Sequence, residues 1–365
     1  MKKKWHLLHI FHTFDTGGSS VRTCQIINDL GEEYYHTILA MNQNYGAKGH
    51  LKSQDNVEYI YDDCFQKPIS FFSRLSLFRV WLKKLHPHLM ITSNWGAIEW
   101  GIANFLFPLC PHIHTEDGFN PDEMEKQKTR RVLIRHSFLK SSVVVLPSHT
   151  LEAIALDIWK IPTKNILYIP NGIEWEHFYL PDIFTKPEEI IIGTVCSLRK
   201  IKNIFRLVKA FSSLPKEIGA KLWIIGDGED RENVEKAAKD LCLAEQVCFW
   251  GHQDNPAPFY KKMKIFALSS DSEQMPISLL EAMAAGCAVI STDVGDVKNM
   301  LPEENKRFLV NRYNEVEYAE KLRELVENPE LCRKLGKSNQ EKCYQEYRKE
   351  SMIKNYSNLY QSFLH

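Results

Sequence analysis

Two glutamates stand eight positions apart in the segment SSDSEQMPISLLEAMAAG, residues 269–286. The apolar run before this segment predicts a strand that ends in polar residues. Pro276 suits the first turn of a helix, where its missing N–H costs no hydrogen bond, and Gly286 suits a helix end. The spacing therefore predicts that Glu273 precedes a helix and that Glu281 lies inside it.

The chemistry open to such a turn is anion binding, because the free N–H groups at the start of a helix attract phosphate. The turn would be formed by Met275, Pro276, Ile277 and Ser278. Glu281 would lie roughly 7–8 Å along the helix, at about 1.5 Å per residue, within reach of ribose hydroxyls. Glu273 could accept hydrogen bonds from a sugar on the far phosphate. These residues alone leave open the alternative that Glu273 caps the helix and Glu281 is an ordinary surface residue.

Two cations follow another predicted strand in the segment CSLRKIKN, residues 196–203. Arg199 and Lys202 could neutralise a leaving diphosphate, which is the electrostatic assistance that group transfer needs. A solvated helix start is the other interpretation. The glycine-bounded turns IIGDGEDRE (224–232) and FWGHQDN (249–255) follow further strands. Each alone is a weak signal, because most βαβ units close with such turns.

The first predicted strand leads into FDTGGSSVR, residues 14–22, where Gly17 and Gly18 permit close backbone approach and a serine can cap the helix. A phosphate cradle and a plain tight turn both fit this loop. Further along, HIHTED (112–117) places two histidines on one strand face before acidic groups. Two histidines at i, i+2 without a third ligand rarely bind metal, and no Asp-x-Asp motif is convincing, so we expect no metal.

Short apolar runs alternate with longer amphipathic segments along almost the whole chain. This alternation predicts an α/β architecture of right-handed βαβ units with parallel sheets, arranged as two doubly wound, Rossmann-like domains. The predicted divisions are an N-terminal domain 1–172, a linker 173–188, a C-terminal domain 189–345, and a helix 346–365 that packs back on the first domain. Ligands in such sheets bind beyond the carboxyl ends of the strands, so we expect both domains to face a central cleft.

The composition is that of a globular protein with 46 Lys and Arg against 46 Asp and Glu, so no basic field argues for nucleic acid. Nine cysteines stand as singles, which favours a reducing, cytoplasmic compartment over a disulfide framework or a structural zinc. GIANFLFPLCP (101–111) is the most lipid-tolerant segment, but it is too short to span a bilayer, and we expect it to pack inside. The basic stretch KQKTRR (126–131) permits peripheral contact with the inner face of the cell membrane.

The order of the motifs IPNGIE, SLRKIKN, IIGDGEDRE, FWGHQDN and SSDSEQMPISLLEAMAAGCAVISTDVGD resembles the retaining glycosyltransferases of family 4, which have the GT-B fold. The resemblance is specific over residues 165–300, and weaker pieces extend it over nearly the whole chain. The chain departs from the family pattern at Gln274, where many members carry glycine, and at Ser197 and Asn299. These departures concern the donor more than the class of reaction.

On the donor side, the resemblance implies that residues 189–345 bind a nucleotide-sugar. It implies that Glu281 holds the nucleotide ribose and that Glu273 contacts the transferred sugar. It also implies that Arg199 and Lys202 bind the diphosphate. The turn at the helix start, already described, would meet the same phosphates.

The resemblance further implies that the backbone around Gly251 and His252 faces the base. The loop with Gly17 and Gly18 would meet the donor phosphate and sugar, which favours the phosphate cradle over a plain turn. The domain 1–172 would serve the acceptor side.

Family members carry a histidine at a similar strand end near the reacting sugar, which indicates His114, with Glu116 and Asp117 as acceptor-side neighbours. A buried histidine that is satisfied by its surroundings is the alternative. The catalytic residues implied by the resemblance are Glu273, His114, Arg199 and Lys202.

These features predict a retaining glycosyltransferase of the hexosyltransferase type that moves a sugar from a nucleotide diphosphate-sugar to a glycan or lipid-linked acceptor, as in cell-surface polysaccharide biosynthesis. No residue is an obvious nucleophile, so we expect front-face attack through an oxocarbenium-like transition state. Cations and helix starts would stabilise the leaving group, so we expect no cofactor or divalent metal. A GT-B-fold sugar-nucleotide 2-epimerase and a non-catalytic carbohydrate-binding protein are the alternatives.

Overall fold

The computed structural model describes residues 4–119, 123 and 126–364. These residues form two compact units, one drawn from 1–171 together with 350–365 and the other from 172–349. Each unit is a parallel sheet flanked by helices. The predicted fold class, two doubly wound α/β domains, is therefore confirmed.

In the described part of the first unit, seven parallel strands form one sheet. They are β1 (Trp5–Phe11), β2 (Tyr34–Ala40), β3 (Val57–Ile60), β4 (Leu89–Ser93), β5 (His112–Thr115), β6 (Val143–Leu146) and β7 (Ile166–Tyr168). Their order is β3-β2-β1-β4-β5-β6-β7, so the winding reverses between β1 and β4. Loops after these two strands separate at their carboxyl ends, which is where doubly wound sheets bind ligands.

Helices cover both faces of this sheet. They are α1 (Gly18–Asp29), α2 (Phe71–Leu85), α3 (Ile98–Leu106), α4 (Thr129–Phe138), α5 (His149–Asp157) and the C-terminal helix (Lys349–Leu364). Ser70 starts α2 by accepting a hydrogen bond from the N–H of Ser73 through its hydroxyl. The C-terminal helix buries an apolar stripe that includes Met352 and Tyr356 against Leu7 and other residues of the sheet. Side chains at this spacing share one helix face.

Within the described residues, the second unit holds six parallel strands in one sheet. They are β8 (Ile191–Val195), β9 (Lys221–Ile225), β10 (Val247–Gly251), β11 (Ile265–Leu268), β12 (Ala288–Thr292) and β13 (Leu309–Val310). The order β10-β9-β8-β11-β12-β13 reverses between β8 and β11. The loops after β8 and β11 therefore flank the ligand position of this sheet.

The helices of the second unit alternate with its strands. They are α6 (Trp175–Phe178), α7 (Ile204–Ser212), α8 (Arg231–Asp240), α9 (Ala257–Tyr260), α10 (Ile277–Ala284), α11 (Val297–Met300), α12 (Glu303–Lys306), α13 (Glu315–Glu327) and α14 (Pro329–Glu346). The segment 173–188, predicted as a linker, belongs to this unit and contains α6. Gly286 has a φ of +68° two residues after α10, the conformation that ends many helices and favours glycine.

The apolar segment 101–111 divides at the end of α3. Gly101 to Asn104 are buried, as expected, but Phe105 to Leu109 are all exposed. The prediction that the whole segment packs inside is wrong for these five residues and for Pro111, because α3 ends at Leu106 and the chain returns to β5 over the surface. Among the described residues, no helix is both long enough and apolar enough to cross a bilayer.

A close approach of two helices makes Gly336 a sensitive position. A Cβ at Gly336 in α14 would overlap with the carbonyl oxygen of Gly286 at the end of α10. We expect Gly336→Ala to lower the free energy of unfolding by about 1–3 kcal/mol, which is typical of overpacking. Helix propensity alone would instead raise the free energy of unfolding by about 1 kcal/mol, because alanine favours the helix more than glycine does. Chemical denaturation of this variant beside Lys337→Ala, at the exposed neighbouring position, measures the difference, and equal stability would contradict the prediction.

Candidate functional site

The loops after β8 and β11 lie side by side at the reversal point of the second sheet. The N–H of Asp271 donates to the carbonyl of Ile201 at 2.8 Å, and the hydroxyl of Ser269 donates to the carbonyl of Lys202 at 3.1 Å. The structure thereby joins two segments, 196–203 and 269–276, that the sequence analysis singled out separately. Both lie where a doubly wound sheet binds ligands.

Lys202 and Glu273 meet in this loop pair. The Nζ of Lys202 lies 2.5 Å from Oε1 of Glu273, and the hydroxyl of Ser270 donates to the same oxygen at 2.7 Å. Both charged side chains keep limited contact with solvent, at 16% and 11% exposure. Arg199 is exposed, and its Nε donates to the hydroxyl of Ser197 at 3.0 Å. The arrangement leaves two cations and one carboxylate within a single polar cluster.

Arg206 holds the β11 loop from below, and the sequence analysis did not identify it. Its guanidinium is buried and donates to the carbonyl of Ser269 at 2.5 Å, to the carboxylate of Asp271 at 2.7 Å and to the carbonyl of Arg312 at 2.6 Å. A basic residue on the buried face of the amphipathic helix α7 was the signal that could have revealed it. A buried guanidinium demands such partners, so it fixes the path of the loop.

Glu281 lies one and a half turns into α10 and pairs with Tyr260, a second residue that the sequence analysis missed. The Tyr260 hydroxyl donates to Oε2 of Glu281 at 2.8 Å. Burial raises the pKa of Glu281 to about 7, although the Tyr260 hydrogen bond acts in the opposite direction. With Oε2 engaged by the phenol, Oε1 is the atom that an added hydroxyl could contact.

The helix start between the two glutamates is shaped by the TDVGD turn after β12. Gly295 has a φ of +55°, and a Cβ there would overlap with the carbonyl groups of Glu273 and Gln274. The N–H of Asp296 donates to the carbonyl of Gln274 at 2.8 Å. Met275 and Pro276 are buried, whereas Ile277 and Ser278 are half-buried at the first turn of α10. The turn of residues 292–296 therefore packs against the segment that starts α10.

Gly251 and His252 lie at the end of β10, two strands from β8. Gly251 has a φ of +66°, and its carbonyl accepts a hydrogen bond from the N–H of Gly226 at 2.8 Å. His252 is exposed, and its Nε2 lies 3.3 Å from a carboxylate oxygen of Asp254. The structure places these two residues at the same edge of the sheet as Lys202 and Glu273.

A cavity of about 410 Å³ opens at the reversal point of the first sheet. Its lining includes Asp15, Gly17 and Ser19 from the loop after β1, Trp95 from the loop after β4, and Asp117 from the loop after β5. Gly18 is the first residue of α1, beside this lining. The backbone of Gly17 is extended, and a Cβ would meet nothing closer than 3.9 Å, so the fold does not require glycine there. A glycine that the backbone conformation does not require still leaves room at the cavity wall for a ligand to approach the backbone.

Asp117 is held in this wall by a buried arginine. Arg22 of α1 contacts the carboxylate of Asp117 with both Nη atoms, one of them at 2.8 Å from Oδ2, and donates to Asn171 at 2.9 Å. The N–H of Asp117 donates to the side chain of Asn94 at 2.7 Å. The Asp117 side chain remains 17% exposed towards the cavity.

His114 and Glu116 lie behind this wall, and both are fully buried. The Nδ1 of His114 is 2.8 Å from the Thr92 hydroxyl, and its Nε2 is 3.4 Å from Oε2 of Glu116. Since a carboxylate only accepts, Nε2 carries the hydrogen in this contact. Burial alone would raise the pKa of Glu116, but Arg135 and the His114 hydrogen bond hold it below its usual value. Of the three acceptor-side candidates, the structure brings Asp117 alone into the cavity lining.

Comparison with known proteins gives two consecutive family matches. Residues 16–177 match the family described as Glycosyltransferase Family 4, and residues 179–342 match the family described as Glycosyl transferases group 1. Together the matches leave only the ends of the chain and one residue between them uncovered.

Curated relatives carry the same signal. An N-acetyl-α-D-glucosaminyl L-malate synthase of Bacillus anthracis is 29% identical over 64% of this chain and 62% of its own length. A poly(ribitol-phosphate) α-N-acetylglucosaminyltransferase of Staphylococcus aureus is 25% identical over 76% of this chain and 53% of its own. The chain thus spans about three fifths or less of these two relatives. A Campylobacter jejuni α-1,4-N-acetyl-D-galactosaminyltransferase, whose name includes PP-undecaprenol, is 25% identical over 89% of each chain.

Solved structures share the architecture along the whole chain. The Anabaena protein HepE, in a complex with UDP and glucose, superposes with a TM-score of 0.82 over 98% of this chain and 100% of its own, at 15% identity. A sucrose-phosphate synthase from Thermosynechococcus elongatus gives 0.79 over 98% and 99%, at 19% identity. At identities this low, the structural likeness shows that the fold is shared and nothing further.

The raised pKa of Glu281 gives a pH prediction. The folded protein binds this proton more tightly than the unfolded chain, whose value is 4.5, so the free energy of unfolding falls as pH rises from 4.5 through about 7. We expect Glu281→Gln to lose this dependence and to gain on the order of 2 kcal/mol relative to the native protein between pH 5 and pH 8. Thermal or chemical unfolding across this range, with Glu245→Gln as an exposed control, measures it. If the free energy of unfolding changed with pH in the same way for the native protein and for Glu281→Gln, the raised pKa of Glu281 would be contradicted.

Proposed function

Because the chain belongs to the glycosyl transferases group 1 and family 4 glycosyltransferases, with the GT-B fold, we propose that it transfers a sugar from a nucleotide diphosphate-sugar to a glycan or lipid-linked acceptor, with retention of anomeric configuration. The observation that carries this proposal is the Lys202–Glu273 pair at the reversal point of the second sheet. It puts a cation for a leaving diphosphate beside a carboxylate for sugar hydroxyls.

The donor side is assigned to the β8 and β11 loops and the start of α10. Lys202 and Arg199 neutralise the diphosphate, and Glu281 accepts hydrogen bonds from the ribose through the oxygen that Tyr260 leaves open. The backbone around Gly251 and His252 contacts the base. These cations take the part that a divalent ion plays in other phosphate chemistry, so the proposal needs no metal.

The transfer step follows from the charges. As the bond from the anomeric carbon to the diphosphate breaks, negative charge grows on the phosphate oxygen and positive charge on the sugar ring. Lys202 and Arg199 interact with the first charge more strongly in the transition state than in the ground state, which is the condition for rate acceleration. Glu273 lies beside the sugar and orients its hydroxyls. The acceptor hydroxyl then attacks on the face from which the diphosphate leaves, and its proton passes to the departing phosphate oxygen.

The acceptor side is assigned to the cavity of the first unit. Asp117 faces this cavity with a carboxylate fixed by Arg22, whereas Gly17 and Gly18 in the loop after β1 are assigned to the donor phosphate and sugar. His114 acts from the buried layer behind, as a positioning residue for the Glu116 segment. A polymeric or lipid-linked acceptor is supported by relatives whose names include poly(ribitol-phosphate) and a PP-undecaprenol glycan. Cell-surface polysaccharide biosynthesis is the proposed setting, at the inner face of the membrane where the acceptor is lipid-linked.

The test is release of nucleoside diphosphate from UDP-, GDP- and ADP-sugars, with and without glycan or lipid-linked acceptors. We expect one donor to support release and the variants Lys202→Ala and Glu273→Gln to lower kcat/KM by about 10²-fold or more, as loss of transition-state charge stabilisation does. Lys236→Ala, which breaks the exposed surface pair with Asp240, is the matched control and should keep full activity.

Two outcomes would contradict the proposal. One is full activity in both Lys202→Ala and Glu273→Gln. The other is an absence of release from every donor in the native protein. Interconversion of the donor sugar without release would instead establish the epimerase reaction. Product anomers, read by nuclear magnetic resonance, decide between retention and inversion.

A further inference from the structure

A run of exposed apolar residues closes α3. Phe105, Leu106, Phe107 and Leu109 are exposed at 37%, 48%, 64% and 42%, with Pro108 exposed between them. Consecutive large apolar side chains in water are unfavourable and mark interaction surfaces. We call Phe105–Leu109 the apolar tip. It takes no part in the donor or acceptor site described above.

Side chains satisfy part of the backbone in and beside the apolar tip. Arg79 of α2 donates from Nη1 to the carbonyl of Ala103 at 3.1 Å and to the carbonyl of Phe107 at 2.7 Å. The buried side chain of Asn104 accepts from the N–H of Leu109 at 2.9 Å and donates to the carbonyl of Cys110 at 2.8 Å. Pro108 has no N–H to satisfy. Pairing these groups internally lowers the cost of taking the tip out of water.

The elements beside the apolar tip are basic and carry no acid. Arg79 stacks over the Phe107 ring at 4.7 Å, and the Phe105 ring meets Phe138 of α4 at 5.4 Å, so α2 and α4 both border the tip. The segments 71–85 and 129–140 contain eight Lys and Arg and no Asp or Glu, in a chain whose 46 basic and 46 acidic residues balance overall.

Three carboxylates that contact α2 or α4 are already paired with arginines. Glu99 binds Arg74, whereas Glu116 and Glu123 bind arginines of α4. Among the described residues, Lys83, Lys84 and Lys140 form no ion pair, and all three are exposed. The border of the apolar tip therefore presents positive charge to an approaching surface.

We propose that the apolar tip and its basic border dock the protein onto an anionic lipid surface. The aromatic and leucine side chains enter the boundary between headgroups and acyl chains, and Lys83, Lys84 and Lys140 face the lipid phosphates. The tip is five residues long, which suits shallow insertion and excludes a span. A second copy of this chain is a poorer occupant, because it would bring the same cations face to face.

Vesicle co-sedimentation of the full chain, without donor or acceptor, tests this proposal separately from the transfer reaction. We expect binding to vesicles of phosphatidylglycerol in phosphatidylcholine, weak binding to phosphatidylcholine alone, and weakening by salt. Phe107→Glu and Leu109→Ser should each lower the binding constant at least tenfold, and Lys83→Glu should lower it on anionic vesicles. Tryptophan fluorescence melts confirm that each variant is folded.

Matched controls use the second unit. Phe184 is 70% exposed and distant in sequence, so Phe184→Glu should bind vesicles as the native protein does. Lys334→Glu changes the net charge as Lys83→Glu does, at another exposed position, and should also bind normally. No vesicle binding by the native protein would overturn the proposal, as would equal binding by Phe107→Glu and Leu109→Ser. Concentration-dependent dimers that Phe107→Glu abolishes, without vesicle binding, would assign the tip to self-association instead.

Discussion

A buried guanidinium fixes the loop after β11 in the second unit. Arg206 lies beneath the β11 loop, and the energetic need to satisfy it draws in the carbonyl of Ser269 and the carboxylate of Asp271. The same loop then presents Glu273 to Lys202. A lysine in place of Arg206 would lack the planar guanidinium that donates to three separate acceptors, so arginine is needed to fix the course of this loop.

The first unit contains a similar arrangement of a buried arginine and an acidic loop. Arg22 belongs to the helix after β1, and Arg206 belongs to the helix after β8, each of which is the strand where its sheet reverses. Arg22 clamps Asp117 as Arg206 clamps Asp271. In both units, a buried arginine fixes an acidic loop at the carboxyl edge of the sheet. Doubly wound sheets open a crevice at that edge, and a fixed loop gives the crevice a constant shape.

The fold class could be predicted from the sequence, because parallel strands that are buried on both faces read as apolar runs between amphipathic helices. Strand β13 could not be predicted, because its two residues, Leu309 and Val310, are too few to show a hydrophobic pattern. The convergence of Lys202 with Glu273 also required the structure, because strand order decides which loops are neighbours.

Arg206 and Tyr260 were missed for a related reason. Arg206 bonds to Asp271, and Tyr260 bonds to Glu281. Both partners lie more than twenty positions further along the chain, so no local sequence pattern reveals these contacts. The apolar tip was misjudged because an apolar run usually indicates burial, and nothing in the run itself reveals that Arg79 and Asn104 support it at the surface. Hydrogen bonds to the backbone, which the sequence does not display, decided that outcome.

The Lys202–Glu273 pair gives the proposed site a way to choose its ligand. An incoming diphosphate competes with Glu273 for Lys202, and a carboxylate that loses its cation in a place with 11% exposure needs a new partner. Sugar hydroxyls attached to the same diphosphate supply that partner, because they donate hydrogen bonds. Inorganic phosphate offers only its P–OH groups as donors and places its negative charge beside the carboxylate of Glu273. In the proposed complex, therefore, this ion pair favours binding of a sugar-bearing diphosphate over binding of the free anions of the cell. When the diphosphate product dissociates, Lys202 pairs with Glu273 again.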